Sequence, residues 1–221
     1  MNAKELLKKA KEFHGHICPF LALGVKASLI AMEELNVERV RDETIGEEIL
    51  AIVECNNCFS DGIQIATGCT FGNNTLIYVD LGKNAFTLVR RKDWTGVRVY
   101  VDANKINDLY FDSEILELFD KVIVRREGSK DEEEKLSKLW EEIGWKVLDA
   151  PLELFKVEKV DVTPIERAPI FENVKCRICG ELVMKTRVRE GVCLKCSGEY
   201  YAVIGRGIVK FERGRYREVV L

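Results

Sequence analysis

The sequence predicts an α+β protein with a mixed or antiparallel sheet packed against helices, followed by a small cysteine-rich module at the C-terminus. Three observations carry this. Segments with helical apolar spacing open the chain, short β-branched runs follow them, and two CxxC pairs stand near the end. Leu6, Leu7 and Ala10 share one face of a first helix over residues 3–13. A second helix, 19–35, begins at Pro19, which suits a first helical turn because the N–H it lacks has no partner there. Leu21, Val25, Ala27, Leu29 and Met32 supply its apolar positions, and Cys18 falls at its N-cap. EEILAIVE (47–54), TLIYVD (75–80), AFTLVRR (85–91) and GVRVYVD (96–102) read as strands. Between the first two, SDGIQIATG reads as a short helix with Ser60 as N-cap and Gly68 as its stop. Helices over about 113–125 and 130–147 carry acidic faces, with KDEEEK (130–135) as a solvated first turn. LELFKVEKVDV (152–162) closes the core as a strand.

With 47% hydrophobic and 32% charged residues, the 221-residue chain has material for one core and a satellite module, which excludes a disordered protein. The opening MNAKELLKKAKEF lacks the apolar run of a secretory signal, and PFLALGVKASLIAM is broken by Lys26 and too short for a bilayer. No membrane partner and a cytoplasmic location are therefore expected. Charge is uneven: residues 174–221 hold 11 Lys or Arg against 5 Asp or Glu, a net of +6 in a chain whose total is −3. TPIERAPIFEN (163–173) holds two of the four prolines and reads as a linker. The expected organisation is a core domain over 1–163 and a linker with a Cys₄ domain over 164–221.

CRICG (176–180) and CLKCSG (193–198) place Cys176, Cys179, Cys193 and Cys196 at the spacing of two metal knuckles. Two thiolates three residues apart, followed by a small residue, turn around one ion while backbone N–H groups point at the sulfurs. The expectation is a zinc ribbon, with iron as the redox alternative in the same ligand set. Four protein ligands close the site, so it is structural. EYYAVIGRGIVKFERG (199–214) alternates like a hairpin that would pack with it.

The other four cysteines lie in FHGHICP (13–19), ECNNCFSDGIQ (54–64) and GCTFGNN (68–74), loop-like stretches beside element ends. At a helix N-terminus Cys18 would be favoured as a thiolate, and His14 and His16 read as ligands, a general base or thiolate partners. The plainer alternative is that each cysteine is a small core hydrophobe and each histidine a helix cap. FHGHICP, the stretch with Cys58, Asp61, Ile63 and Gln64, the GCTFG loop and LGK (81–83) before an aromatic strand together resemble the FmdE family, named for the E component of formylmethanofuran dehydrogenase, including its frequent C-terminal zinc ribbon. The resemblance covers the whole chain. It implies a sheet similar to that of the glyceraldehyde-3-phosphate dehydrogenase catalytic domain, a homodimer, and a cleft formed by His14, His16, Cys18, Cys58, Asp61, Gln64, Cys69, Thr70 and Lys83. Cys55 falls outside this set, and Phe20 stands where the family usually has glycine.

The family also implies a methanogenesis-related association with the molybdenum or tungsten dehydrogenase that reduces carbon dioxide onto methanofuran. Nothing in the chain resembles a pterin-binding domain or a ferredoxin cluster run. The leading expectation is a metal-binding accessory protein whose core holds a second metal through His16, Cys18 and Cys58 or Cys69, with Asp61 or His14 behind them. One alternative is a thiol-dependent enzyme or redox protein using Cys18 or Cys58 as the reactive thiol, with Lys83 or the GCTFG amides as anion donors. Another is a zinc-ribbon module for nucleic acid or protein. The acidic whole chain favours docking of the basic tail on the acidic core of its own or a neighbouring subunit over nucleic acid.

Overall fold

In the computed structural model, which describes residues 1–40, 47–167 and 170–198 and the backbone of strands at 201–204, 207–212 and 215–220, the chain opens with α1, Ala3–His14. Asn2 and Glu5 close a capping box at its start, and Gly15, at φ 98, stops it in a left-handed turn that glycine adopts without strain. Leu6, Leu7 and Ala10 are buried, as their spacing requires. Helix α2, Pro19–Leu35, begins at the expected proline and buries most of its length.

The sheet contains β1 (Ile49–Val53), β2 (Leu76–Tyr78), β3 (Ala85–Arg90), β4 (Thr95–Val101) and β5 (Phe155–Asp161), in spatial order β2-β1-β3-β4-β5. β1 and β2 are parallel, with Ala51 opposite Leu76, and every other pairing is antiparallel, with Ala51 opposite Leu88 and Val97 opposite Lys159. The sheet is therefore mixed. A parallel pair needs a crossover, and α3 (Cys58–Thr67) supplies it between β1 and β2. After β4 come α4 (Ala103–Tyr110), α5 (Ser113–Phe119), a π-turn at Asp120–Val124 and α6 (Lys130–Val147). Helix α2 packs against α3, α6 and strands β3 and β4, so it is the central element of the core. Glu54, at the end of β1, is buried and receives both Arg98 Nε (2.6 Å) and Nη2 (2.8 Å), a bidentate pair that ties β1 to β4.

Four expectations about elements change. Helix α3 starts at Cys58 with Asn57 as its cap: the Asn57 side chain accepts from Phe59 N at 3.0 Å, while Ser60 donates to the Cys55 carbonyl at 2.6 Å. Helix α4 was not expected, because it buries only Ile106 and its apolar signal is thin; Asp102 caps it. The helix expected over 113–125 divides into α5 and the π-turn. The last strand begins at Phe155, since Pro151 leads into a 3₁₀ turn at Leu152–Leu154.

The chain divides into two units, Met1–Arg167 and Ala168–Leu221. The second has two small antiparallel pairs, β6 (Asn173–Lys175) with β7 (Leu182–Met184) and β8 (Val188–Arg189) with β9 (Val192–Cys193). A four-residue helix, α7 (Leu194–Ser197), follows. Strands β10 (Tyr201–Ile204), β11 (Gly207–Glu212) and β12 (Arg215–Val220) form an antiparallel sheet, which adds a third strand to the hairpin anticipated there. Positions 168 and 169 of the expected linker and 199, 200, 205, 206, 213 and 214 of the expected hairpin lie outside the described residues. Among the described residues no helix is long and apolar enough to cross a membrane.

Candidate metal centre

Two helix starts meet in the core. Cys18 is the N-cap of α2, its sulfur accepting from Leu21 N at 3.4 Å, and Cys58 is the first residue of α3. The helices come together because neither has a side chain where they cross. A Cβ on Gly24 would lie 2.1 Å from the Phe59 carbonyl oxygen, and one on Gly62 would lie 2.3 Å from that of Leu21. Gly144 plays a similar part on α6: a Cβ there would sit 2.4 Å from Ile17 Cγ2, so α6 seats against the turn that carries Cys18. From α6 Trp140 stacks on His16, centroids 6.4 Å apart and planes at 19°.

His14, His16, Cys18 and Cys58 each place a ligating atom within 4.8 Å of the other three. His14 Nδ1 is 2.7 Å from Asp61 Oδ2, and Asp61 Oδ1 accepts from Gln64 Nε2 at 3.1 Å. Asp61 and Gln64 lie one turn apart on α3, so the helix that presents Cys58 also presents the carboxylate behind His14. With Nδ1 committed to Asp61, Nε2 is the nitrogen left for the cluster, and it is buried with no hydrogen-bond partner. A buried polar atom is rarely left unpaired. An imidazole with a carboxylate on one nitrogen and an orphaned lone pair on the other has the arrangement of a metal-binding histidine.

The electrostatics are those of a shared proton between two thiols. A hydrogen bond from Cys18 pulls the Cys58 thiol down to about 6, against the opposing effect of burial, and the charge of His14 adds to the pull. Its hydrogen bond to Cys58, together with burial, pushes Cys18 well above the ordinary thiol range. Burial works against a charged His14, but the Asp61 hydrogen bond and Cys58 outweigh it and raise the imidazole. Burial lowers His16, and the neighbouring His14 adds to that effect. The Cys18 hydrogen bond and His14 thus favour the thiolate form of Cys58, the form that binds a metal.

The remaining anticipated residues fall elsewhere. Cys69 is fully buried, its sulfur 3.9 Å from the Ile49 carbonyl, outside the four-atom group. Thr70 closes its own loop with Asn73 through Thr70 N to Asn73 Oδ1 at 2.9 Å and Asn73 N to Thr70 Oγ1 at 3.3 Å. Lys83 is exposed, and its backbone N–H bonds the Glu54 carbonyl at 3.1 Å. Cys55 is buried beside Asn57 and Ser60, and burial raises its thiol. Phe20 is packed against the core. Sequence reasoning did not single out Gly24, Gly62, Gly144 or Trp140; the glycines inside helical patterns were the available signal.

In the second unit the sulfurs of Cys176, Cys179, Cys193 and Cys196 also lie within 4.8 Å of one another. Cys176 Sγ accepts from Cys193 N at 3.4 Å and Ile178 N at 3.5 Å. These N–H donors, that of Cys193 first, bring the Cys176 thiol down to about 6. Gly180, at φ 74, makes the turn after the first pair, its N–H returning to the Cys176 carbonyl at 2.9 Å.

Residues 13–156 match the model of the FmdE family, described as molybdenum formylmethanofuran dehydrogenase operon. The chain belongs to the FmdE family. The matched span takes in His14, His16, Cys18 and Cys58 and stops before the four C-terminal cysteines. FmdE is associated, by that description, with a dehydrogenase operon. A protein of Archaeoglobus fulgidus described as a probable S-adenosyl-L-methionine-binding protein is 67% identical over 215 residues, which cover 97% of this chain. The chain spans 58% of the length of that relative. A solved structure from Syntrophus aciditrophicus, a tungsten formylmethanofuran dehydrogenase FmdE-like protein, superposes with a TM-score of 0.58 at 24% identity, covering 90% of this chain and 93% of the other. At that identity the likeness is one of fold.

Proposed function

We propose that the FmdE core is a metal-binding module in which His14, His16, Cys18 and Cys58 hold one soft divalent ion, in a protein accessory to a molybdenum or tungsten dehydrogenase. The orphaned Nε2 of His14, backed by Asp61 and facing a second imidazole and two thiols, carries this reading. Two nitrogens and two sulfurs suit zinc or iron. An ion bound there would supply Lewis-acid or redox chemistry. The chain's own residues orient His14 through Asp61 and Gln64 and favour the thiolate form of Cys58. Cys176, Cys179, Cys193 and Cys196 are read as a closed structural zinc ribbon, iron being the alternative ion. A second copy of the chain is the expected partner, and exposed Phe71, Val79 and Leu81 near the short edge strand β2 supply apolar surface for it.

Elemental analysis per chain tests the proposal. Wild type should carry two metals and the His16→Ala, Cys18→Ser double variant one. One metal in both would remove the core ion and return Cys18 and Cys58 to the thiol-enzyme reading. Asp61→Asn should keep the fold and weaken metal at the core site by about 10–100-fold, since an amide loses the charge that orients and strengthens His14 as a ligand. Competition with a chromophoric chelator measures this, and an unchanged affinity would contradict the role given to Asp61.

The identity to the Archaeoglobus relative favours a second reading, that the chain contributes to binding S-adenosyl-L-methionine. Calorimetric titration of the 221-residue chain with S-adenosyl-L-methionine decides whether this span suffices.

A further inference from the structure

The two imidazoles of the core cluster are held differently. Asp61 fixes His14 through Nδ1 at 2.7 Å, whereas the His16 ring makes no hydrogen bond among the described residues. A ligating histidine ordinarily has such a partner to set its orientation. His16 also stands in the turn 15–18, between the end of α1 and the start of α2, outside both helix ladders. What remains are two ring contacts. One is with His14, centroids 4.6 Å apart and planes at 45°, and the other is with Trp140, at 6.4 Å and 19°. Only the second is near-parallel, and its separation is that of an offset aromatic stack.

Trp140 is itself fixed, and α6 aims it. Phe119 of α5 lies 5.8 Å from its ring, and the indole packs against both the main core and the smaller cluster of Leu118, Val122 and Leu136. One helical turn on, Gly144 lets α6 close on Ile17, where a Cβ would sit 2.4 Å from Cγ2. Glu141, between the two, takes Lys11 of α1 at 2.9 Å. Residues four apart share a helix face, so the seating of Gly144 on the residue after His16 fixes where the indole meets the imidazole. Packing alone does not call for tryptophan here. Its N–H is buried with no partner, which costs stability, and a phenylalanine would make an apolar contact without that cost.

We propose that Trp140 is the positioning residue of His16, its indole face holding that imidazole in the orientation in which it joins His14, Cys18 and Cys58 as a metal ligand. The proposal rests on the metal reading, and in it Trp140 stands to His16 as Asp61 stands to His14. The probe is cobalt(II), returned to the metal-free full chain against a competing chelator, because its visible bands differ between two nitrogens with two sulfurs and four sulfurs. Trp140→Leu keeps apolar bulk and removes the flat face, and it should weaken cobalt at the core site by about tenfold. In a His16→Ala background, where His14, Cys18 and Cys58 remain, the same change should weaken cobalt by less than about twofold. Trp140→Phe keeps a ring and should stay within about threefold of wild type. An unchanged Trp140→Leu affinity, an equal loss in the His16→Ala background, or a Trp140→Phe variant as weak as Trp140→Leu would overturn the proposal while leaving the core metal in place. Absence of the core cobalt bands from wild type would overturn the metal reading, and this proposal with it.

Discussion

Gly62→Ala should destabilise the core by about 3 kcal/mol and abolish metal binding at the core cluster while the C-terminal cysteines keep theirs. The added methyl would lie 2.3 Å from the Leu21 carbonyl oxygen, 2.9 Å from Val25 N and 3.0 Å from Gly24 Cα, all backbone of α2. No side chain can rotate away, so the helices must separate. Cys58 rides on α3 and Cys18 on the start of α2, and any separation at the crossing pulls the two sulfurs apart. In a chain of this size the loss should lower the melting temperature by roughly 10 °C. Gly72→Ala is the control: a Cβ there meets nothing within 4 Å, and stability should change by less than about 0.5 kcal/mol. Thermal unfolding of both variants with metal counts per chain makes the comparison. If Gly62→Ala kept both its stability and two metals, the helix crossing would not be what forms the site.

Cys193→Ser should unfold the C-terminal unit and leave the melting of the first unit in place. Among residues 170–198 only Cys176 and Cys193 are buried, so this stretch has no apolar core of its own. The structural ion proposed for the four thiolates would contribute about 10–16 kcal/mol of apparent binding energy, more than so small a module can obtain from burial. Removing one of four thiolates forfeits most of it, and it also takes the sulfur 4.0 Å from Cys179 out of the cluster. Limited proteolysis should then cut after about Arg167, at the junction of the two units, and release a resistant N-terminal fragment. A variant that resisted cleavage and kept its full metal content would show that the second unit folds without its four-cysteine cluster.

How much of this was legible in the sequence follows from the range of the interactions. The N-cap role of Cys18, the start of α2 at Pro19, the stop at Gly68 and the cysteine spacing of the second unit are local, settled by residues within one turn of each other. The start of α3 was misplaced because two good caps stand three residues apart, and the choice fell to Asn57 once the Cys55 carbonyl claimed Ser60. The short helix α4 and the π-turn before Arg126 depend on packing that periodicity does not record.

The sequence by itself determined the α+β class, the cysteine pairs of the C-terminal unit and the pool of side chains from which a core site would be drawn. Tertiary structure alone decided which of them meet. It grouped His14 with His16, Cys18 and Cys58, turned Asp61 and Gln64 to the back of His14, and left Cys69 packed at Ile49. The reason is the contact between Gly24 and Gly62, 38 positions apart in the chain, where two backbones approach because neither residue carries a side chain. A glycine inside a helical pattern shows in the sequence; which backbone passes over it becomes known only when the chain has folded.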